Sequence, residues 1–400
     1  MARPPMSRSQ STYASVVRAA AAATASASRR AGLGEGSTIS GRVVSLLATR
    51  GLIEQLASRD TCVFVSGTNG KTTTTALIAR GLAASGPVAT NAHGSNLLAG
   101  LYAALIHTPS APAVLEVDEL VLPKALETLH PTHVVLLNLS RDQLDRAHEV
   151  RRIAARWRGA LAGFTGVVVA NADDPLVVWS ALGATRTVWV SAGQRWRGDA
   201  ESCPACGASI DADAGTWRCT TCDLARPVAV LAERIEVGLP GAYNEGNAAL
   251  ASAVLTVLGV PKEAIDWSAI TSVAGRYESI ATPWGDVRAL LAKNPAGWVE
   301  VLDLIRPDVG VVLAINDRIE DGRDPSWLWD VPFEQLAGRQ VVCTGSRATD
   351  LAVRMEVAGA IASVEHDPMT AIASTGRAPV DFAANYSAFR ETLTKLRRAA

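Results

Sequence analysis

Between Val63 and Leu82 the chain reads VFVSGTNGKTTTTALIARGL: an apolar β-branched run, a turn holding two glycines, then a stretch spaced for a helix. A strand that feeds a helix through a tight turn is half of a βαβ unit, and such units build parallel sheets covered by helices. From about Leu52 the chain repeats this alternation. CVFVSG, APAVLEVDE, HVVLLNLS, GVVVANADD and RTVWVSAG read as strands, with TTTTALIARGLAASG and EVRRIAARWRGALAG as helices between them. The pattern lapses at QRWRGDAESCPACG and resumes near GAYNEGNAALASAVLTVLGV. After AGRYESIATPWGDV a second alternating block starts, with ALLAKNPAGWVEVLDLI, VGVVLAIND, QVVCTGS and the helix RATDLAVRMEVAGA. The expected fold class is α/β in several units, since 400 residues exceed one comfortable core. A short helical N-terminal segment covers 1–45, a central domain 46–282 and a C-terminal α/β domain 283–400. The boundary is expected near Thr282 and Pro283.

Charged residues make up 19% of the chain and the formal net charge is −1. This balance fits a soluble globular chain and does not suggest a generic polyanion binder. The first thirty residues mix arginine with alanine and serine but lack a leucine-rich core, so they read as a cytoplasmic helix or a frayed tail and not as an export signal. No run approaches the roughly 18 apolar residues that span a bilayer, and any membrane association is expected to be peripheral.

Four of the six cysteines fall in one window. Cys203 and Cys206, then Cys219 and Cys222, form two CxxC knuckles separated by 12 residues. That spacing matches a structural zinc ribbon whose four thiolates close a tetrahedron. The metal would supply folding energy that an insert over about 196–227 cannot draw from its own small core. Asp199, Glu201, Asp211 and Asp213 make the insert acidic, which argues against phosphate binding there. Cys62 and Cys343 stand alone on strand-like runs and read as buried structural thiols.

The turn Gly67-Thr68-Asn69-Gly70-Lys71-Thr72, followed by Thr73, lies where a phosphate-binding P-loop belongs, between strand and helix. Backbone amides would cradle phosphate oxygens, Lys71 would meet the β and γ phosphates, and the Thr72 hydroxyl would hold magnesium. The standard motif has glycine where this chain has Val65. Lysine occurs at only five positions, Lys71, Lys124, Lys262, Lys293 and Lys395, so each invites a specific reason.

GTNGKTTT resembles the ATP loop of the Mur ligase family, enzymes that join an amine to a carboxylate. LEVDE (115–119), NLSRDQLDR (138–146), NADDP (171–175), GAYNEGNAALA (241–251), GRYE (275–278) and LAKNPAG (291–297) match further segments of that family in the same order. The resemblance implies a Mur ligase-like central ATPase domain and a C-terminal Rossmann-like domain, with ATP and Mg2+ as cofactors. It implies that Glu116 is a magnesium ligand, that Asn244 and Asn247 lie on the segment reading the adenine, and that Lys293 reaches the nucleotide from the second domain. Two features depart from the amino-acid-adding members. Gln143 replaces a histidine, and no lysine between Lys124 and Lys262 is available for carbamylation. Both missing groups organise a second metal, which argues against a stand-alone ligase of the folylpolyglutamate synthetase kind.

With the cysteine insert, NDRIEDGRDPSWLWD and ANYSAF (384–389), the chain is similar to a branch of this family that serves as the synthetase subunit of a two-component amidotransferase. That resemblance implies ATP-dependent amidation, through an acyl phosphate, of the D-glutamate α-carboxylate of lipid II to D-isoglutamine. The ammonia would come from a GatD-type class I glutaminase, and the work would take place at the inner face of the cell membrane. No glutaminase nucleophile is visible here, since Cys343 has no nearby histidine in sequence. Asp317, Asp321, Asp324 and Asp330 read by composition as turn and cap residues. The resemblance singles out Asp324 as the carboxylate that completes the partner's Cys-His pair. Trp327 and Trp329 fit either a subunit contact or the core. His93 reads as a polar loop residue, with a substrate or metal role as the alternative. A nucleic-acid-handling ATPase remains a reading from another class, opposed by the near-neutral charge.

Overall fold

The computed structural model describes residues 8–31, 37–91, 95–142, 149–194, 198–213, 215–228, 231–232, 235–262, 265–272, 276–376 and 379–400. Side chains at 8–11 and 37–38 are not described. His93, Gln143 and Gly275, singled out above, lie outside the described residues.

The first alternation becomes a sheet of β1 (Cys62–Ser66), β2 (Ala89–Thr90), β3 (Ala113–Val117), β4 (His133–Leu136), β5 (Val167–Asn171) and β6 (Thr187–Val190). The strand order is β2-β3-β1-β4-β5-β6, with every neighbouring pair parallel. Parallel sheets are covered on both faces, so their strands are apolar throughout. β1, β3 and β5 are buried at every position.

The N-terminal segment forms α1 (Arg8–Arg30), α2 (Ser37–Leu47) and α3 (Arg50–Ala57). The helices α4 (Lys71–Ala83), α5 (Leu98–His107), α6 (Leu122–Leu129), α7 (Val150–Leu161), α8 (Pro175–Ala181) and α9 (Ala242–Val257) then cover the sheet. Side chains alternate across β1, so Val63 and Val65 join a core with α4 and α9 while Cys62 and Phe64 join one with α5 to α8. On that second side α1 and α2 add a further layer, with Ala14, Val17, Ala21 and Val44 buried. Gly41 lets α2 approach α5 so closely that a Cβ there would lie 1.7 Å from the Ala99 carbonyl oxygen. Of helix and frayed tail, the packed helix is what forms.

Between β6 and α9 the insert folds as an antiparallel hairpin, β7 (Ile210–Asp213) and β8 (Thr216–Cys219). The second sheet comprises β9 (Tyr277–Thr282), β10 (Gly285–Leu291), β11 (Gly310–Ala314), β12 (Gln340–Thr344), β13 (Ile361–Val364) and β14 (Val380–Ala384). Its order is β13-β12-β11-β14-β10-β9. All its pairs are parallel except the hairpin β9–β10, and α10 (Pro295–Leu302), α11 (Ala348–Val357), α12 (Pro368–Ser374) and α13 (Tyr386–Ala399) accompany it. This order differs from the 3-2-1-4-5-6 arrangement of a doubly wound dinucleotide fold. The expected boundary at Thr282 and Pro283 falls inside this sheet, because Thr282 pairs with Gly285 and Pro283-Trp284 is a hairpin turn. No helix among the described residues is long and apolar enough to cross a membrane.

Asp381 on β14 is fully buried and is held by Arg288 (2.8 Å) and Arg306 (2.7 Å). Its replacement strands both guanidinium groups. Asp381→Ala is expected to lower unfolding free energy by about 3 kcal/mol, read from urea denaturation.

Candidate active site

The turn after β1 takes its shape from two glycines and a neighbouring strand end. Gly67 and Gly70 have φ of 149° and 86°, conformations that favour glycine. A Cβ on Gly70 would meet Asn247 Oδ1 at 2.4 Å. The segment after β4 clamps the turn from the side. Thr68 N donates to Asn138 O, and Asn69 N donates to Asn138 Oδ1, both at 2.9 Å. The Asn138 amide returns a bond to Asn69 O at 3.1 Å, and Ser140 N donates to Thr68 Oγ1 at 3.0 Å.

Lys71 opens α4 and is buried. Its ammonium donates to the Gly67 and Thr68 carbonyls and to Glu119 Oε2, the last at 3.1 Å. Burial works against its charge, but the carboxylates of Glu119, Glu116 and Asp142 outweigh that and hold its pKa above the ordinary value. For Glu119 the balance is mirrored: burial pushes its carboxyl up, and Lys71 and then Lys293 bring it below the usual range. Thr72 Oγ1 donates to Glu116 Oε2 at 2.8 Å and accepts from Arg276 Nη2 at 2.8 Å. The Glu116 backbone is fixed by Asn91, which accepts from its N and donates to its O, both at 2.8 Å. A hydroxyl and a carboxylate joined at the end of two adjacent parallel strands form the kind of oxygen pair that suits magnesium.

The second sheet closes over this corner. Lys293 pairs with Asp142, and Asn69 and Asn294 exchange two amide hydrogen bonds of 3.1 Å. Asn294 also caps α10, accepting from Gly297 N at 3.0 Å. The open cleft of about 830 Å³ at this corner is lined by Thr68 to Thr73, Glu116, Asn244, Asn247 and Lys293. Asn244 and Asn247 are buried at the start of α9, with Asn247 Nδ2 at 3.4 Å from Asn244 Oδ1. Glu119, Asn138 and Arg276 also line this cavity and escaped the sequence reading. Each sits in a quoted segment, LEVDE, NLSRDQLDR or GRYE, and only the fold shows which member faces inward.

The four cysteine thiols converge at a separate place, all Sγ atoms lying within 4.8 Å of one another. A tetrahedron of Zn–S bonds of about 2.3 Å has edges of roughly 3.8 Å, and the two closest pairs, Cys206–Cys219 and Cys203–Cys222, stand at 3.4 and 3.6 Å. Amides of Cys222 and Thr221 donate to Cys219 Sγ at 3.4 Å and draw that thiol down to about 6, while Cys203 and Cys222 beside it are pushed up, so the cluster favours a single thiolate at Cys219. The insert is tied to the sheet by Trp217 Nε1, which donates to Ala172 O at 3.0 Å, and by Arg226 on Asp173 at 2.7 Å.

The acidic run after β11 separates by partner. Asp321 is buried and accepts from Ser387 N at 2.9 Å, Asp317 accepts from Ser346 Oγ at 2.7 Å, and Asp330 meets Arg141 at 3.3 Å. Asp324 is exposed, with the Ser326 amide on one oxygen at 2.9 Å, and that bond keeps its carboxyl below the usual value. It lies outside the cavity. Trp327 is buried, whereas Trp329 is exposed with the Arg354 guanidinium 5.5 Å from its ring centre. Cys62 and Cys343 are buried, and burial pushes both thiols up to about 12, which suits structural thiols and not nucleophiles.

Comparison with known proteins assigns the two sheets separately. The family described as Mur ligase middle domain matches residues 65–255, and MurT ligase C-terminal matches 291–389. A lipid II isoglutaminyl synthase (glutamine-hydrolyzing) subunit MurT from Staphylococcus aureus (strain N315) is 30% identical over 358 residues, covering 79% of this chain and 81% of that protein. The subunit of the same name from Streptococcus pneumoniae (strain ATCC BAA-255 / R6) is 27% identical, covering 82% and 83%. Among solved structures, a pseudomurein peptide ligase type C from Methanothermus fervidus superposes with a TM-score of 0.64 at 19% identity, covering 85% of this chain and 79% of that one.

The buried Lys71–Glu119 pair predicts a pH dependence. The lowered pKa of Glu119 contributes stability that is present above the ordinary carboxylate value and lost as pH falls through the lowered one. The raised pKa of Lys71 contributes stability that persists until pH rises through that raised value. Thermal melts between about pH 3 and pH 8 should therefore show an acid loss in the wild type that is shallower in Glu119→Gln. At neutral pH that variant should be destabilised by about 2–3 kcal/mol.

Proposed function

This chain belongs to the MurT family of Mur-type ligases, and from that premise we propose that it is the ATP-dependent synthetase subunit of a glutamine-hydrolysing lipid II isoglutaminyl synthase. The observation that carries the reading is the corner where Lys71, Thr72 and Glu116 meet beneath Lys293 and Asn294 of the second sheet. An amide cannot form directly from a carboxylate, because hydroxide is a poor leaving group. Transfer of the γ-phosphoryl group of ATP solves this. A carboxylate oxygen of the D-glutamate residue bonds to the γ phosphorus, the bond to ADP breaks, and an acyl phosphate results. Ammonia then attacks the acyl carbon, phosphate departs with the bonding pair, and loss of a proton leaves the D-isoglutamine amide.

The Gly67–Thr73 turn would act as the phosphate-binding loop, its amides and the start of α4 facing the phosphates. Lys71 would turn from Glu119 to the γ phosphate and balance the charge that develops there. Thr72 and Glu116 would hold magnesium, which supplies further charge neutralisation when bound. Asn244 and Asn247, at the start of α9 beside the turn, would meet the adenine. Lys293 would approach the phosphates from the second domain, so that domain closure completes the site.

Ammonia is mostly protonated at neutral pH, and neither buried cysteine supports a glutaminase in this chain. The proposed source is a GatD-type glutaminase partner. Asp324, exposed and outside the cavity, would orient the imidazole of the partner's Cys-His pair. The cysteine cluster would hold structural zinc and keep the insert folded. The complex would work at the cytoplasmic face of the membrane, where its lipid-linked substrate lies.

The chain mixed with its glutaminase, ATP and glutamine is expected to convert lipid II to the amidated product, read by mass spectrometry. Unchanged substrate mass defeats the proposal, and amino-acid addition without any partner would favour a stand-alone ligase. Asp324→Asn should leave ATP binding intact while lowering glutamine hydrolysis by the complex at least about 100-fold. Retained hydrolysis removes Asp324 from this role. Metal analysis should find about one zinc per chain, absent from Cys203→Ser/Cys222→Ser, whose insert should become protease-sensitive.

A further inference from the structure

Charge is distributed unevenly along this chain. Seven arginines against a single acidic residue, Glu35, give residues 1–53 a formal charge of +6, which leaves −7 for the remainder of a chain whose total is −1. An asymmetry of this kind points to an anionic partner for the basic part.

The same part carries clustered apolar side chains in water. On α2, Ile39, Arg42, Val43 and Leu46 recur at helical spacing along the outward face, and Leu46 is 85% exposed. The Tyr13 hydroxyl donates to the Leu47 carbonyl, which fixes the start of α1 beside the end of α2. Tyr13 therefore adjoins Leu47, and Val16, nearly one turn further along α1, is 58% exposed. Beyond them α1 shows exposed Ala19, Ala22 and Ala23, and no residue from Ala19 to Ser28 is charged. Arginines stand at either end of that uncharged stretch, Arg18 on one side and Arg29 and Arg30 on the other.

Exposed apolar residues scattered singly need no explanation, but a contiguous group does. This one includes the exposed Arg42, and Glu54, the next acidic residue after Glu35, is paired with Arg50 at 2.9 Å. Aliphatic side chains that enter the boundary between headgroups and acyl chains, with guanidinium groups above them on phosphates, match this arrangement. A protein partner chosen by the same surface would need a matching acidic rim. A phospholipid leaflet supplies negative charge at any orientation around the patch.

We propose that the α1–α2 layer is a docking surface for an anionic phospholipid leaflet. It rests on the function above only in supposing a lipid-linked acceptor, and it adds the face on which that acceptor's membrane is met. Because α2 packs on α5, and α5 leads back to β3 and Glu116, docking through this layer sets the distance between the leaflet and the cavity.

The full chain should co-sediment with vesicles of phosphatidylglycerol and phosphatidylcholine and not with phosphatidylcholine alone, and binding should weaken as salt is raised. Val16→Asp/Leu46→Asp, both at exposed positions, should keep the wild-type melting curve and lose at least about tenfold in vesicle affinity. Arg42→Glu should lower binding and its salt dependence. Amidation of a short-chain, water-soluble precursor should be unchanged in these variants, which separates failure of docking from failure of the proposed reaction. Equal binding to neutral vesicles, no binding, or unaltered binding by the double aspartate variant overturns the proposal. So does a wild type that sediments as a dimer which the aspartates convert to monomer, since the patch would then face a second copy.

Discussion

A buried ammonium is tolerated only where carboxylates and carbonyls surround it, and Lys71 imposes that condition on the whole central domain. The strand end that brings Glu116 and Glu119 beside β1, the turn that offers the Gly67 and Thr68 carbonyls, and the Trp157 bond that fixes the Glu119 backbone all meet it. Parallel pairing of β1 with β3 sets the register, placing Val65 opposite Glu116 and Ser66 opposite Val117. A shift of one residue would turn Glu116 to the other face. The cavity is thus a product of sheet register as much as of the motif at its floor.

Contacts between the two sheets converge on the same corner. Asn69 reaches Asn294, Asp142 reaches Lys293, Thr72 reaches Arg276, and Arg141 reaches Asp330. All four first members lie on the turn, at the start of α4 or in the segment after β4. Amide pairs and solvated ion pairs of this sort are individually modest. Such an interface suits a joint that can open, as the proposed nucleotide entry would require.

Much of this was legible in the residues. The β-branched runs and glycine turn announced the parallel sheet, and Thr72 and Glu116, each expected at a magnesium, are brought together by the β1–β3 pairing. The failures have physical causes. A boundary was expected near Thr282 and Pro283 because a two-residue hairpin turn and a domain boundary share a composition, and only pairing of Thr282 with Gly285 distinguishes them. β2 spans two residues, too few to leave a period. Glu119 was passed over because its neighbour Glu116 had the motif, yet the contact to Lys71 is decided in three dimensions. Among the four aspartates after β11, identical in type, burial and partners separate Asp321 from Asp324, and neither is written in local sequence.

The double engagement of Lys71 has a consequence for turnover. With backbone carbonyls and Glu119 already engaging Lys71, the loop needs no incoming anion to keep its form, so the proposed nucleotide would arrive at a prepared seat with little ordering left to be done. Glu119 also stands as a rival counter-ion. Once the terminal phosphoryl group had moved to the acceptor in the proposed reaction, the ammonium would have a resident carboxylate to return to, and spent nucleotide would face a competitor for that cationic contact. In the proposed cycle, the same glutamate that stabilises the resting enzyme would hasten its clearing.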